Sequence, residues 1–155
     1  LEIGTALGYS SSIMALSSDC KIDTIEKDEE RISRAKELWR RLGVDDKIKV
    51  YHGDSDEILS DVMAGKIYDF VFIDAAKSAY KRQLQSVLPY VKKGGMIMCD
   101  DVLYLGLVKG DSYPPHKHRT IVRNMREFLA YVDSSNKLEL TLVEEGNGVA
   151  VIKVL

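Results

Sequence analysis

Short apolar runs alternate with longer amphipathic stretches along most of this 155-residue chain, and this alternation limits the fold more than any other feature. Short apolar runs are typical of strands buried on both faces, and the amphipathic stretches between them are typical of crossover helices. The pattern therefore predicts βαβ units around a parallel sheet. The predicted strands are residues 1–4, 22–26, 48–52, 68–74 and 96–99, and the predicted helices are residues 10–17, 28–42, 55–64 and 78–91.

The last third of the chain departs from this alternation. A predicted loop over residues 111–118 leads into a helix over 120–132, and two apolar strands, 138–143 and 148–155, follow it. The glycine-rich turn between these two strands is typical of an antiparallel pair. We therefore predict an α/β fold with a seven-stranded, mostly parallel sheet and one antiparallel strand near the carboxyl-terminal edge.

Composition excludes several classes of protein. With 22 Lys+Arg, 24 Asp+Glu and 45% hydrophobic residues, the chain fits a single domain over residues 1–155 and is neither disordered nor globally basic. No apolar run approaches the roughly 20 residues that a membrane helix needs. Cys20 and Cys99 are too few for a disulfide framework, so we expect two buried thiols and a cytoplasmic location. Because Leu1 falls inside the first predicted strand, we also expect a preceding segment to be missing.

Glycine or a carboxylate follows each of the first five predicted strands, and ligands of parallel α/β sheets bind at those strand ends. Gly4 and Gly8 allow a tight turn before a helix, and Glu26 stands 18 residues after Gly8, where an acidic side chain can hold a ribose diol. The spacing of the two glycines differs from the G-x-G-x-x-G of a dinucleotide site, and no P-loop lysine follows. These features predict a nucleoside site.

Three carboxylates, Asp74, Asp100 and Asp101, follow two predicted strands. If the strands are neighbours, the carboxylates repel one another, and a divalent cation with oxygen ligands would relieve the repulsion. Helix caps and solvated loop residues are the alternative interpretation. Lys77 could accept a proton from a substrate hydroxyl or form a salt bridge with a nearby carboxylate, and spacing alone leaves both open.

Five basic residues cluster after the fifth strand: Lys109, Lys117, Arg119, Arg123 and Arg126. The three arginines recur at helical spacing. Such a stripe could contact a phosphate backbone, and it could equally be a solvated helix face.

Four segments carry a resemblance to a known family: LEIGTALGYS, TIEKD, FIDAAK and CDDVL. In this order they resemble the successive motifs of the cation-dependent class I O-methyltransferases, which use S-adenosylmethionine and include the catechol and caffeoyl-CoA O-methyltransferases. Two further segments, DDVLYLG and HKHRTIVRNMR, are similar to the bacterial tRNA 5-hydroxyuridine O-methyltransferases. The resemblance implies a Rossmann-like methyltransferase domain that lacks the family's N-terminal helical segment, and it implies a homodimer.

The same resemblance implies roles for individual residues. S-adenosylmethionine would contact Glu2, Gly4, Gly8, Ser10, Glu26, Gly53, Asp54, Ser55 and Asp74; Mg²⁺ or another divalent cation would be held by Asp74, Asp100 and Asp101; and Lys77, with Asp74, would be catalytic. Small-molecule members usually carry Asp-Ala-Asp-Lys where this chain has residues 74–77, and Asp-Asn where it has residues 100–101.

These departures count against a catechol or CoA-ester substrate, and the resemblance of the basic segment favours a tRNA substrate, with 5-hydroxyuridine at the wobble position as the methyl acceptor. A small catechol, phenol or CoA ester is the second substrate class. Two alternatives of other classes are a nicotinamide-dependent oxidoreductase, which the glycine spacing disfavours, and a non-catalytic nucleoside-binding module.

Overall fold

The computed structural model describes residues 1–109 and 114–155, so the beginning of the predicted loop over 111–118 lies outside the described residues. Within them the chain forms seven strands and five α-helices. The strands are β1 (Glu2–Ile3), β2 (Ile22–Glu26), β3 (Ile48–His52), β4 (Tyr68–Ile73), β5 (Val91–Cys99), β6 (Leu138–Val143) and β7 (Val149–Val154). The helices are α1 (Tyr9–Ser17), α2 (Glu29–Leu42), α3 (Ser55–Met63), α4 (Tyr80–Val87) and α5 (Arg119–Asp133).

The strands belong to one sheet with the order β3-β2-β1-β4-β5-β7-β6, in which β7 runs antiparallel to both β5 and β6. The predicted α/β fold is therefore confirmed, including the antiparallel strand next to the carboxyl-terminal edge. The elements group into two compact units, Leu1–Gly65 (unit 1) and Lys66–Leu155 (unit 2).

Unit 1 is organised by the apolar stripe of α2. Asp28 caps this helix by accepting a hydrogen bond from the Arg31 amide at 3.1 Å, and Gly43 ends it in the left-handed conformation. The buried side chains of the stripe are Ile32, Ala35 and Trp39, and Ala35 and Trp39 share a core with residues of α1, β2 and β3. Burial of such a side chain stabilises the fold by about 1.5–3 kcal/mol. The two parallel strand pairs β1–β2 and β2–β3 complete the unit.

Unit 2 contains a parallel pair, β4–β5, and the antiparallel strands β6 and β7. Helix α5 buries one face, which consists of Val122, Met125, Phe128 and Val132. The spacing of these residues, three to four apart, is that of an amphipathic helix packed on a core.

The boundary between α4 and β5 differs from the prediction. The helix ends at Val87, a 3₁₀ turn spans Leu88–Tyr90, and β5 begins at Val91. Tyr68 pairs with Val91 but Phe70 pairs with Met96, so extra residues bulge out of β5. Gly94 lies in this bulge with a φ of +77°, a conformation that glycine adopts readily.

Two further findings concern the burial of the cysteines and the question of membrane-spanning helices. Cys99 is buried as expected, but the prediction of a buried Cys20 is wrong, because this residue lies exposed between α1 and β2. Among the helices of the described residues, none is both long and apolar enough to cross a membrane.

Candidate functional site

The turn between β1 and α1 is held by backbone hydrogen bonds and by close packing on α2. Gly8 caps α1 with a φ of +80°, and its carbonyl oxygen accepts hydrogen bonds from the Trp39 indole at 3.1 Å and the Ser12 hydroxyl at 2.5 Å. A Cβ atom on Gly8 would lie 2.7 Å from the Trp39 Nε1 and 2.8 Å from the Ala35 Cβ. Gly8 is thus required by the packing of unit 1 itself, whatever the turn binds.

Glu26, at the end of β2, holds this turn from the other side. Its buried carboxylate accepts three backbone N–H groups: Ala6 at 2.8 Å on Oε2, and Lys27 and Asp28 at 3.0 Å each on Oε1. A carboxylate offers about four acceptor positions, so one on Oε2 stays open. The predicted pairing of the glycine turn with the acidic end of β2 is therefore present, and it is made by direct hydrogen bonds.

Glu2 lies inside unit 1 and is fully buried. Its Oε1 accepts the Ser10 hydroxyl and its Oε2 accepts the Thr24 hydroxyl, each at 2.5 Å. Thr5 in turn donates to Thr24 at 2.6 Å. Burial raises the pKa of Glu2 above its ordinary value, and the hydroxyl donors offset that effect in part.

The end of β3 lies beside Glu26. The Gly53 amide donates to the Glu26 carbonyl at 3.0 Å, and Asp54 caps α3 by accepting the Asp56 amide at 3.0 Å. Ser55 is the first residue of α3. Three of the expected cofactor contacts, Gly53, Asp54 and Ser55, thus lie at the strand end next to that of Glu26, the residue expected to hold the ribose.

In unit 2, β4 and β5 bring the three acidic residues close together. The Asp100 amide donates to the Ile73 carbonyl at 3.1 Å, and the Asp101 amide donates to the Asp100 Oδ1 at 2.7 Å. Burial raises the pKa of Asp74, Lys77 lowers it, and the charges of Asp100 and Asp101 raise it further. Asp100 and Asp101 are therefore near enough to Asp74 for their charges to act on its pKa.

Lys77 forms the salt bridge that the sequence left open. Its Nζ lies 2.6 Å from the Asp101 Oδ2, with both side chains mostly buried. The Asp101 Oδ1 is also buried, and it has no hydrogen-bond partner within residues 1–109 and 114–155. An orphaned carboxylate oxygen beside two further carboxylates suits a hard divalent cation. The described part of the chain nevertheless holds no ready-made group of three His, Cys, Asp or Glu side chains around one metal position.

The basic residues after β5 are mostly engaged within unit 2. Lys109 pairs with Glu144, Arg123 lies 3.9 Å from Glu127, and Arg119 donates to the Pro114 carbonyl at 3.3 Å. Arg126 donates to the carbonyls of Val108 at 3.1 Å and Leu107 at 3.4 Å. Lys117 has an exposed side chain.

Sequence reasoning missed the hydroxyl relay of unit 1. Thr24 precedes Glu26 by two residues in β2, so both side chains fall on the same side of the strand. That period of two was the available signal, and it places Thr24 next to Glu2, its partner in the β1–β2 register.

Comparisons with known proteins agree with this geometry. A family model described as O-methyltransferase matches residues 1–155. A caffeoyl-CoA O-methyltransferase of Populus kitakamiensis is 32% identical over 162 residues, which cover 100% of this chain and 69% of the relative. A Staphylococcus aureus protein, provisionally named a caffeoyl-CoA O-methyltransferase, has a structure with a TM-score of 0.90 and 29% identity, covering 99% of this chain and 74% of that one. The O-methyltransferase from Bacillus cereus in complex with SAH has a TM-score of 0.87 at 24% identity, over 99% and 72% of the two chains, and shows a likeness of fold.

Proposed function

The chain belongs to the O-methyltransferase family, and from this premise we propose that it transfers the methyl group of S-adenosylmethionine to a substrate hydroxyl activated by a divalent cation. The observation that carries the proposal is the contact between the Glu26 carboxylate and the glycine turn, since it supports a nucleoside site at the strand ends of unit 1. When bound, the cofactor supplies an electrophilic methyl group, and the cation would lower the pKa of the acceptor hydroxyl.

Unit 1 offers the groups that S-adenosylmethionine needs. The open acceptor position on the Glu26 Oε2 suits one ribose hydroxyl, and Gly53 and Asp54 follow at the next strand end for the adenine. Gly4, Gly8 and Ser10 form the turn that would face the amino-acid end of the cofactor. Because Glu2 is deeply buried under Ser10, its role would be to fix that hydroxyl and the turn.

Unit 2 offers the ligands for the cation. Asp74, Asp100 and Asp101 would hold Mg²⁺ or a similar ion, and the Asp101 Oδ1 is the oxygen that lacks a partner in the described structure. Lys77 can accept a substrate proton only in its neutral amine form and apart from Asp101, because the ammonium of the ion pair has no lone pair. We infer that its first role is to neutralise this acidic cluster.

A small phenolic or CoA-ester hydroxyl is the first substrate class we propose, since relatives such as that of Populus kitakamiensis are named caffeoyl-CoA O-methyltransferases. The wobble 5-hydroxyuridine of tRNA is the second. It is favoured by the exposed Lys117 and by Arg123, whose side chain is 69% exposed. Arg119 and Arg126 count against an RNA surface, because backbone carbonyls already hold them.

The test is a methylation assay with labelled S-adenosylmethionine and Mg²⁺, run in parallel on catechol, caffeoyl-CoA and tRNA that lacks its wobble methyl group. We expect label on the small hydroxyl compounds, and loss of labelling with a chelator. Label on tRNA alone would select the second class. Binding of NAD in place of S-adenosylmethionine in a calorimetric titration would overturn the proposal in favour of an oxidoreductase, and cofactor binding without any transfer would indicate a non-catalytic module.

Two accompanying proposals concern the protein in solution. We expect a homodimer, which sedimentation would detect, and a cytoplasmic location, which suits two free thiols, Cys20 and Cys99.

A further inference from the structure

We propose that Tyr80 is a positioning residue that fixes the distance between the two acidic loops of unit 2, residues 74–77 and 100–101, and thereby sets the affinity for a divalent cation. The inference rests on the cation site of the proposed function. It concerns a residue that contacts neither substrate nor cofactor in that proposal and acts through the backbone of the ligand loops.

Tyr80 is the first residue of α4, and its side chain is fully buried. The ring meets Phe128 of α5 edge to face, with 5.8 Å between the centroids and an interplanar angle of 81°. A buried phenolic hydroxyl needs hydrogen-bond partners, and which partners it has shows what the residue holds in place.

The hydroxyl of Tyr80 joins both acidic loops. It donates to the carbonyl oxygen of Asp100 at 2.9 Å, and the backbone N–H of Ala75, the residue that follows Asp74, lies near enough to this oxygen to lower the pKa of Tyr80. One oxygen atom therefore bridges the loop after β4 and the loop after β5. Removal of this atom would leave the backbone of both loops without a shared anchor.

The ring of Tyr80 also lies beside the Lys77 ammonium group, which belongs to the same cluster. The Lys77 Nζ is 5.5 Å from the ring centroid and, at the same time, 2.6 Å from the Asp101 Oδ2. Asp101 itself has a φ of +58°, an uncommon conformation for a residue other than glycine, which the surrounding contacts must maintain. Since phenylalanine keeps the ring but not the hydroxyl, the variant Tyr80→Phe removes the bridge between the loops and keeps the contact between the ring and the Lys77 ammonium.

Cation affinity reports the proposed role because Mg²⁺ demands nearly ideal octahedral geometry at about 2.0–2.1 Å. A shift of the two loops by a few tenths of an ångström would then weaken binding, even in a well-folded protein. A purely structural role would lower thermal stability and leave the cation affinity of the folded protein unchanged. The two roles therefore differ in a measurable quantity other than activity.

The experiment compares wild type, Tyr80→Phe and Tyr90→Phe by calorimetric titration with Mn²⁺ and, separately, with S-adenosylmethionine. Tyr90 is the matched control because it precedes β5, whereas Asp100 follows the opposite end of that strand. We expect Tyr80→Phe to bind Mn²⁺ about tenfold more weakly than wild type, Tyr90→Phe to match wild type, and all three to bind the cofactor within about twofold of one another. Equal Mn²⁺ affinity in Tyr80→Phe and wild type would overturn the inference.

A second measurement separates this inference from the proposed function. If the wild type binds no Mn²⁺, the proposed cation-dependent activity fails. Amide hydrogen exchange of the cation-free protein then tests whether the Tyr80 hydroxyl holds the two acidic loops. The expected result is faster exchange at residues 74–77 and 100–101 in Tyr80→Phe than in wild type. Unchanged exchange in both loops would show that the hydroxyl does not hold them.

Discussion

The two units satisfy the carboxylates of their candidate sites in opposite ways. In unit 1, Glu26 accepts backbone amides and Glu2 accepts hydroxyls, so neutral donors fixed by the fold surround both charges. In unit 2, the charges of Asp100 and Asp101 raise the pKa of Asp74, and Lys77 lowers that pKa and forms an ion pair with Asp101. The difference indicates that unit 1 is organised before its ligand arrives, whereas unit 2 is organised around a positive charge.

The largest expected effect on the free energy of unfolding is that of Gly8→Ala, which disrupts the packed glycine turn of unit 1. The new Cβ would lie 2.7 Å from the Trp39 indole, and the φ of +80° is unfavourable for alanine. Overpacking costs about 1–3 kcal/mol and the left-handed conformation about 1 kcal/mol more, so we expect a loss of about 3 kcal/mol in the free energy of unfolding.

Chemical denaturation measures this loss. Gly43→Ala is the matched control, since it has a φ of +67° with nothing within 4 Å of the added Cβ, and it should cost only about 1 kcal/mol. Equal losses in the two variants would mean that contact with α2 does not constrain the turn.

The next effect sharpens the description of unit 2 and uses the variant Asp74→Asn. An Mg²⁺ concentration 100 times the dissociation constant should stabilise wild type by about 2.7 kcal/mol, and Asp74→Asn should lose this stabilisation. Without the cation, the variant should be at least as stable as wild type at neutral pH, because the raised pKa of Asp74 means that folding disfavours its charge. Thermal unfolding with and without Mg²⁺ measures both quantities.

The same scans on Asp69→Asn provide a control outside the cluster. Asp69 is exposed and pairs with Lys92, which holds the pKa of its carboxyl below the usual value. That variant should keep the full Mg²⁺ response. If Asp74→Asn keeps it as well, the acidic loops are not the cation site.

A smaller effect, of opposite sign to that of Asp74→Asn in the absence of the cation, is expected for the same kind of substitution in unit 1. Glu26→Gln leaves one acceptor oxygen, without charge, for three backbone amides, so at least one part-buried N–H group loses its acceptor. We expect a loss of about 2 kcal/mol in unfolding free energy and weaker binding of S-adenosylmethionine. Glu30→Gln, at an exposed position of α2, should change stability by less than about 0.5 kcal/mol. A stabilised Glu26→Gln would erase the distinction between the units.

The sequence predicts the candidate site of unit 1 better than that of unit 2. The spacing between Gly8 and Glu26 is fixed by one βαβ unit, so their meeting at neighbouring strand ends follows from the fold. The choice of partner for Lys77 does not follow, because it depends on the rotamer of a long side chain near several carboxylates. Residue spacing left a proton acceptor and a salt bridge equally open, and packing decided for the salt bridge with Asp101.

The basic stripe shows the same limit. Helical spacing placed Arg126 on one face of α5, but its guanidinium donates to carbonyls in the loop after β5. That loop turns through Tyr104 and Leu105 with φ values of +37° and +57°. Residues other than glycine rarely adopt this conformation, so no sequence pattern predicts the turn that presents these carbonyls to Arg126.

The smallest effect tests whether hydroxyl donors satisfy a buried carboxylate as well as amides do, and it concerns Glu2. Burial raises the pKa of Glu2 in the folded state above its ordinary value of 4.5. Between 4.5 and that raised value the folded chain binds more protons than the unfolded chain, so Glu2's contribution to stability is fully present below pH 4.5 and is lost as the pH rises through the folded pKa. Glu2→Gln should remove this loss and flatten the decline of unfolding free energy with rising pH, as denaturation at a series of pH values from 4.5 upward would measure. A slope equal to that of wild type and of Glu30→Gln would show that Ser10 and Thr24 stabilise the charged carboxylate of Glu2 fully.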